Sequence, residues 1–382
     1  MEYRKFGSTD WTGSILGFGA MRLPVTDKKD RSKIDEPLAR QMMAYAIDHG
    51  VNYLDTAYLY HDGESERVVG RFLKDGYRDK VKLATKLPAR IVHSPDDFDR
   101  FLNEQLKRLQ TDHIDFYLLH ALNHETWPKV RKMNVLKWAE SAKAQGRIGR
   151  LGFSFHDDLD TFKDIIDAYD QWALCQIQYN FMDTEYQAGT EGLNYAAQKG
   201  LAVVIMEPIR GGHLAKEPPP RIKDILAKAP KQRTQAEWAL QWVWDQPGIS
   251  LVLSGMTALE HVMENCALAA RASENKLSAE ELKLLAEVKE AYRRLCPIPC
   301  TNCQYCMPCT NDVRINRILE LYNEVFMYDD TRVPRMRYSQ IHADQRADQC
   351  IECGTCEDSC PQSIPIQEWL KKAHDLLAPK KL

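Results

Sequence analysis

A chain of 382 residues with 44% hydrophobic content has enough apolar material for a large core and for more than one domain. Its 51 basic and 54 acidic residues leave a formal net charge of −3, which excludes a nucleic-acid or anionic-membrane binder acting through bulk charge. No apolar run reaches membrane-span length and the first residues carry no apolar h-region, so no secretory signal is read and the cytoplasm is the expected compartment.

From the N-terminus, short apolar runs alternate with stretches of helical period. Ile15–Phe18, Val51–Leu54, Val81–Ala84, Ile114–Leu119, Ile148–Phe153, Leu174–Ile177, Leu201–Ile205 and Ile249–Leu253 read as strands. Leu38–His49, Asp96–Leu109, Leu136–Ala144 and Thr234–Trp244 read as helices among them. About eight β-then-α units imply an α/β fold of the (β/α)8 TIM-barrel type. A doubly wound sheet is the alternative, weakened because no G-x-G-x-x-G follows the first strand.

Barrel chemistry sits at the C-terminal ends of the strands. Three successive strands end on ionisable residues: Asn52-Tyr-Leu-Asp55, Leu83-Ala-Thr-Lys86 and Phe116-Tyr-Leu-Leu-His120. Tyr60 follows in the loop Tyr58-Leu-Tyr-His-Asp-Gly63. An Asp at a strand end often caps the next helix, and a lone His is usually only hydrogen-bonded. Together, however, the set suits carbonyl reduction. Hydride arriving at a carbonyl carbon leaves an alkoxide that needs a proton. A Tyr beside an ammonium becomes a better donor, because the ammonium favours the phenolate. Lys86 supplies the ammonium, Asp55 holds it, and His120 donates to the carbonyl oxygen.

At these residues the chain resembles the aldo/keto reductase superfamily, over roughly residues 1–270. Asp55-Thr-Ala57 with Tyr60, Ala84-Thr-Lys86 and Leu118-Leu-His120 carry the resemblance. It implies a catalytic tetrad of Asp55, Tyr60, Lys86 and His120, with Tyr60 as proton donor. It also implies nicotinamide contacts. Ser154, in Gly152-Phe-Ser154, and Gln176 match the carboxamide ligands. The Asn expected after the Ser is replaced by Phe155, with His156 as a substitute. Met206 stands where a ring stacks on nicotinamide, Gly211 and Gly212 match the loop over the pyrophosphate, and Glu264 with Asn265 match the adenine pair. Ser254-Gly255-Met256 and His261 occupy the places of the basic residues that select a 2′-phosphate. Without an arginine fork, phosphate preference weakens. NADP(H) is the family expectation and NAD(H) its competitor. Pocket residues include Met21.

Ser278-Ala-Glu-Glu281 has the form of a capping box opening a helix to about Leu295. The expected domains are therefore a barrel over 1–275, a connecting helix over 276–295 and a third region over 296–382. That last region holds nine of the 11 cysteines. Cys175 and Cys266 read as small core hydrophobes. The crowd of nine does not fit a disulfide framework in a reducing compartment.

The runs are Cys300-Thr-Asn-Cys303-Gln-Tyr-Cys306-Met-Pro-Cys309 and Cys350-Ile-Glu-Cys353-Gly-Thr-Cys356-Glu-Asp-Ser-Cys360-Pro361. The second matches the bacterial ferredoxin pattern C-x2-C-x2-C-x3-C-P, which implies a small α-helical ferredoxin-like module with two [4Fe–4S] clusters. Cys300, Cys303, Cys306 and Cys360 would hold one, and Cys350, Cys353, Cys356 and Cys309 the other. The first run departs from the pattern: Cys309 follows Cys306 one residue early, and Thr310 replaces the proline. Cys296 is an alternative ligand, and the expectation adopted is that it is not one. Zinc, which takes separated C-x2-C pairs, fits these runs poorly. Between them, Val313–Met327 reads as an amphipathic helix with the stripe Ile315, Ile318, Leu319, Tyr322 and Phe326.

The resulting expectation is an NAD(P)H-dependent oxidoreductase of the ferredoxin-tailed branch, acting on a small carbonyl or alcohol, without nucleic-acid or membrane partners. The alternative is an electron-transfer or redox-sensing protein whose barrel mainly binds nicotinamide. An external ferredoxin is a candidate exchange partner. Hydride carries two electrons and a cluster passes one, so the coupling between the centres stays open.

Overall fold

The computed structural model describes residues 1–27, 30–272 and 277–378. They divide into two compact units, Met1–Pro208 with Leu240–Lys276, and Ile209–Ala239 with Leu277–Leu382. The expected boundary between 275 and 276 falls outside the described residues.

In the first unit, β1 (Tyr3–Lys5) and β2 (Thr12–Ser14) form an antiparallel hairpin. Eight parallel strands then close a barrel: β3 (Leu16–Gly19), β4 (Tyr53–Asp55), β5 (Lys82–Leu87), β6 (Ile114–Leu122), β7 (Ile148–Phe155), β8 (Leu174–Gln178), β9 (Ala202–Met206) and β10 (Ile249–Ser254). β10 pairs with β3 through Val252 and Leu16, which completes the ring. Near-continuous apolar runs form these strands because helices cover the outside and side chains fill the inside. Helices appear where the periodicity placed them, at Glu36–Asp48, Asp96–Leu109, Val135–Ala144 and Gln235–Trp244. Asp35 starts the first of these by accepting the Leu38 N–H at 3.2 Å.

The hairpin decides which mouth is open. Phe6 and Trp11, from its turn, pack against Tyr53 at the start of β4 and Phe116 near the start of β6, with Phe6 and Phe116 centroids 4.9 Å apart. This aromatic plug fills the N-terminal end. The turn passes so close to β9 that a Cβ on Gly7, at φ +57°, would lie 2.4 Å from the Ala202 nitrogen. Only glycine fits there. The opposite mouth, where the strands end, is left for chemistry.

In the second unit, the helix Ala279–Leu295 opens with the expected capping box. The Ser278 hydroxyl accepts from the Glu281 N–H at 3.2 Å, and the Glu281 carboxylate accepts from the Ser278 N–H at 2.8 Å. Glu281 also pairs with Arg233. Farther on, the helices Ile315–Tyr328 and Ile366–Leu377 bury Ile315, Ile318, Leu319, Ile366, Leu370 and Leu377 in one core with Ile298 and Tyr338. The expected apolar stripe needs one correction: Phe326 is 42% exposed, and Leu321 and Val325 are buried instead. The buried face is wider than the chosen stripe and turns away from Phe326. Cys175 and Cys266, of the first unit, are buried, as expected of core thiols.

Candidate functional site

Asp55, Tyr60, Lys86 and His120 meet at the open mouth. Lys86 is fully buried, and its Nζ donates to Asp55 Oδ1 at 2.5 Å, to the Thr56 carbonyl at 2.8 Å and to the Tyr60 hydroxyl at 3.4 Å. The His120 ring stands edge-on to Tyr60 with centroids 5.8 Å apart. Burial pushes the Asp55 carboxyl up and the Lys86 ammonium down, and their mutual attraction opposes both shifts. Burial, then the Lys86 charge, drives His120 well below the ordinary histidine range. His120 is therefore neutral, a hydrogen-bond donor rather than a cation.

The strand ends differ slightly from expectation. Asp55 closes β4, but β5 runs one residue past Lys86, and β6 continues to Leu122 beyond His120. The extension of β6 contains a bulge, with Ala121 at φ +52° and a register shift between Leu119 and Leu122. Bulges re-aim neighbouring side chains. Here the Ser154 hydroxyl accepts the Ala121 N–H at 2.8 Å, and β7 thereby fixes the backbone beside His120.

The other nicotinamide candidates are distributed as follows. Gln176 lies on β8 next to Ser154 across the β7–β8 register, with its Nε2 3.9 Å from the Met206 sulfur. Among the described residues, its Oε1 is buried without a hydrogen-bond partner. Phe155 is buried against Phe162, while His156 is half-buried, and desolvation pushes its imidazole down to about 4. Asn265 is buried and donates to the Ser254 hydroxyl at 3.1 Å, and Glu264 precedes it on the helix Leu259–Ala269. Gly211 and Gly212 belong to the second unit, where both take positive φ.

Two residues around Tyr60 had no assigned role in the sequence. His61 is buried at φ +52°, its Nδ1–H donating to the Arg31 carbonyl at 2.6 Å and its Nε2 accepting from the Leu23 N–H at 3.1 Å. These bonds tie the Tyr60 loop to the segment after β3. Glu66 is fully buried behind Lys86, accepting from Thr85 at 2.6 Å and Gln105 at 2.7 Å and pairing with Arg108 at 3.3 Å. Gln105 also donates to the Lys86 carbonyl at 3.0 Å, so the network fixes the end of β5. No local motif encodes either role, since the partners lie 19 to 42 residues away.

In the second unit the two cysteine runs form matching loops. Asn302 and Gln304 in the first, and Glu352 and Gly354 in the second, occupy the left-handed region between successive cysteines. Such turns direct backbone N–H groups inward and build concavities for anionic groups, iron–sulfur centres included. The Asn302 N–H donates to the Cys300 sulfur at 3.4 Å. The thiols acting on Cys306 are Cys303, Cys300, Cys360 and Cys356, and those acting on Cys356 are Cys350 and Cys309. A cavity of about 50 Å³ is lined by Cys306, Cys309, Cys350, Cys353 and Cys356 among others. Cys353 is exposed and the other seven run cysteines are partly buried. Cys296 caps the helix Ala279–Leu295, and the charge acting on its thiol is that of Arg210. Among the described residues, no three His, Cys, Asp or Glu side chains converge as a single metal ion requires. Among the described residues, too, no helix is long and apolar enough to cross a membrane.

Comparison with known proteins finds two family matches along the chain. The aldo/keto reductase family profile matches residues 15–290, and that of a 4Fe-4S dicluster domain matches residues 299–364. Uncharacterized oxidoreductase YrpG of Bacillus subtilis is 27% identical over 330 residues, covering 75% of this chain and 96% of its own. The NADH-specific methylglyoxal reductase of Escherichia coli is 26% identical over 338 residues, covering 77% of this chain and 100% of its own. Among solved structures, the holo form of an aldo-keto reductase from Bacillus halodurans superposes with a TM-score of 0.62 at 28% identity, covering 75% of this chain and 96% of its own. An aldo/keto reductase from Klebsiella pneumoniae in complex with NADP and acetate gives 0.61 at 27% identity, with coverages of 75% and 95%. With a matching eight-stranded barrel and a family profile spanning most of its length, this chain belongs to the aldo/keto reductase family and is an oxidoreductase, with a 4Fe-4S dicluster domain at its C-terminal end.

Proposed function

We propose that the protein reduces a small aldehyde or ketone with NAD(P)H, with Tyr60 as proton donor, and that its C-terminal domain holds two [4Fe–4S] clusters. The observation carrying the first part is the buried Lys86 ammonium shared between Asp55 and Tyr60. The reduced nicotinamide supplies hydride to the carbonyl carbon. Tyr60 releases its phenolic proton to the carbonyl oxygen, and solvent later restores it. The phenolate left behind lies 3.4 Å from the Lys86 ammonium, which favours it. Asp55 and the Thr56 carbonyl keep that ammonium from turning away. Neutral His120 donates an N–H to the same oxygen and orients the substrate.

The residues present fit a nicotinamide. A carboxamide NH2 would satisfy the orphaned Gln176 Oε1, and the Ser154 hydroxyl stands on the adjoining strand. Met206 offers a polarisable surface beside Gln176. With Ser254-Gly255-Met256 and His261 in place of basic selectors, NADPH is the family expectation and NADH its competitor. The cysteine loops likewise fit two clusters, one on Cys300, Cys303, Cys306 and Cys360, the other on Cys350, Cys353, Cys356 and Cys309. The clusters supply one-electron capacity.

Anaerobic nicotinamide oxidation over a panel of aldehydes and ketones tests this reading. Turnover with at least one carbonyl substrate is expected, with clusters left oxidised by NAD(P)H alone. Cluster reduction by NAD(P)H alone, seen by EPR without any carbonyl turnover, would favour the electron-transfer reading instead.

A further inference from the structure

The dicluster domain departs from its pattern in one place, and that place faces the exposed cysteine. Where the second run has Pro361 after its last cysteine, the first has Thr310 after Cys309. Thr310 Oγ1 lies 3.9 Å from the Cys353 sulfur, and Thr355 Oγ1 lies 3.6 Å from the same atom. Sulfur's larger radius makes these contacts of hydrogen-bonding length. The turn is held against the second run, because Asn311 Nδ2 donates to the Gln349 carbonyl at 2.7 Å and the Asp312 N–H to the Cys309 carbonyl at 3.0 Å. Thr355 opens the short helix Thr355–Asp358, and the hydroxyl of Ser359, just after that helix, donates to the Thr355 carbonyl at 2.8 Å. A proline at 310 would bring no donor.

Resting on the two-cluster reading above, we propose that the hydroxyls of Thr310 and Thr355 hold up the reduction potential of the outward-facing cluster on Cys309, Cys350, Cys353 and Cys356. When that cluster accepts one electron from an external one-electron reductant, its charge falls from 2+ to 1+. No bond breaks and no proton moves. The added negative charge spreads onto the thiolates, so an O–H aimed at a sulfur stabilises the reduced form more than the oxidised one. Water at the exposed Cys353 acts in the same direction. Thr310 and Thr355 are thus positioned to keep the cluster nearest solvent reducible, at the point where a redox partner can reach it.

The test is an EPR-monitored redox titration of the full-length protein, with dithionite as reductant, on Thr310→Val, Thr355→Val and Thr310→Ser. Each valine should make reduction of one cluster about tenfold less favourable, a shift of about 59 mV to more negative potential for one electron. The second cluster should keep its midpoint, and the serine variant should match the parent. Unmoved midpoints with both clusters loaded, equal movement of both, or a serine variant shifted as far as valine would overturn the proposal. If Thr310→Val fails to load, Thr355→Val carries the same expectation. Iron and sulfide analysis of the parent separates the two levels: fewer than two clusters defeats the underlying reading, whereas two clusters with unmoved midpoints defeats only the role of the hydroxyls.

Discussion

Replacing Lys86 with methionine removes the ammonium from a fully buried carboxylate while keeping most of the side chain's volume. Asp55 then has two courses. Staying ionised without its partner costs about 3–5 kcal/mol, as for other broken buried pairs. Taking a proton costs about 1.4 kcal/mol for each pH unit above its reference value of 3.8, which is roughly 4 kcal/mol at pH 7. Both courses remove about 3–5 kcal/mol of stability at neutral pH. The second also steepens the pH dependence that burial of Asp55 already gives the parent. A carboxyl whose folded pKa lies above its unfolded one keeps a proton that the unfolded chain releases, so stability falls as pH rises. Lys86→Met should therefore recover up to about 2.7 kcal/mol between pH 7 and pH 5, relative to the parent. Asp55→Asn with Lys86→Met removes both charges and should restore most of the loss at pH 7, with a flat profile. The assay is anaerobic urea unfolding followed by tryptophan fluorescence at both pH values. A Lys86→Met protein with the parent's pH dependence, or a double variant as unstable as the single one, would refute the buried ion pair.

Further expectations follow from the surroundings of the pair. His156, pushed down to about 4 by burial, stays neutral in the folded chain while the unfolded chain binds a proton below 6.5; stability is lost as pH falls from 6.5 to 4, by roughly 3 kcal/mol, and His156→Phe should flatten that window in pH-dependent unfolding. His61→Phe strands the Leu23 N–H and the Arg31 carbonyl, so it should cost about 2 kcal/mol in unfolding measurements and lower turnover by loosening the Tyr60 loop. Ser154→Ala removes the acceptor that fixes the Ala121 bulge, and should lower kcat about five- to tenfold in steady-state assays beyond any rise in the nicotinamide KM.

The barrel was legible because each strand is a short β-rich run bounded by turn residues, and helical period separates the runs. All eight strands stand where that pattern put them. The Tyr3–Lys5 and Thr12–Ser14 hairpin was not legible, since three-residue strands of mixed polarity leave no periodic trace. The meeting of Asp55, Lys86 and His120 was legible because parallel strands in register bring their C-terminal ends together. The bulge at Ala121 and the bonds of His61 and Glu66 were not. They depend on backbone conformation and on partners distant in the chain, to which no spacing rule applies. The cysteine runs announced a cluster site because their spacing is the ligating device itself. The grouping of Ile209–Ala239 with the C-terminal residues had no signal in composition.

The most direct measurement is single-turnover hydride transfer by Tyr60→Phe beside the parent, with nicotinamide binding followed in the same samples by fluorescence quenching. The Tyr60 hydroxyl is bonded to Lys86, whereas the proposed nicotinamide contacts lie at Ser154, Gln176 and Met206. Nicotinamide binding should therefore be unchanged while carbonyl reduction falls by about 10²–10⁴-fold. Full reduction rates from Tyr60→Phe, or a loss explained entirely by lost nicotinamide binding, would contradict the assignment of Tyr60 as proton donor.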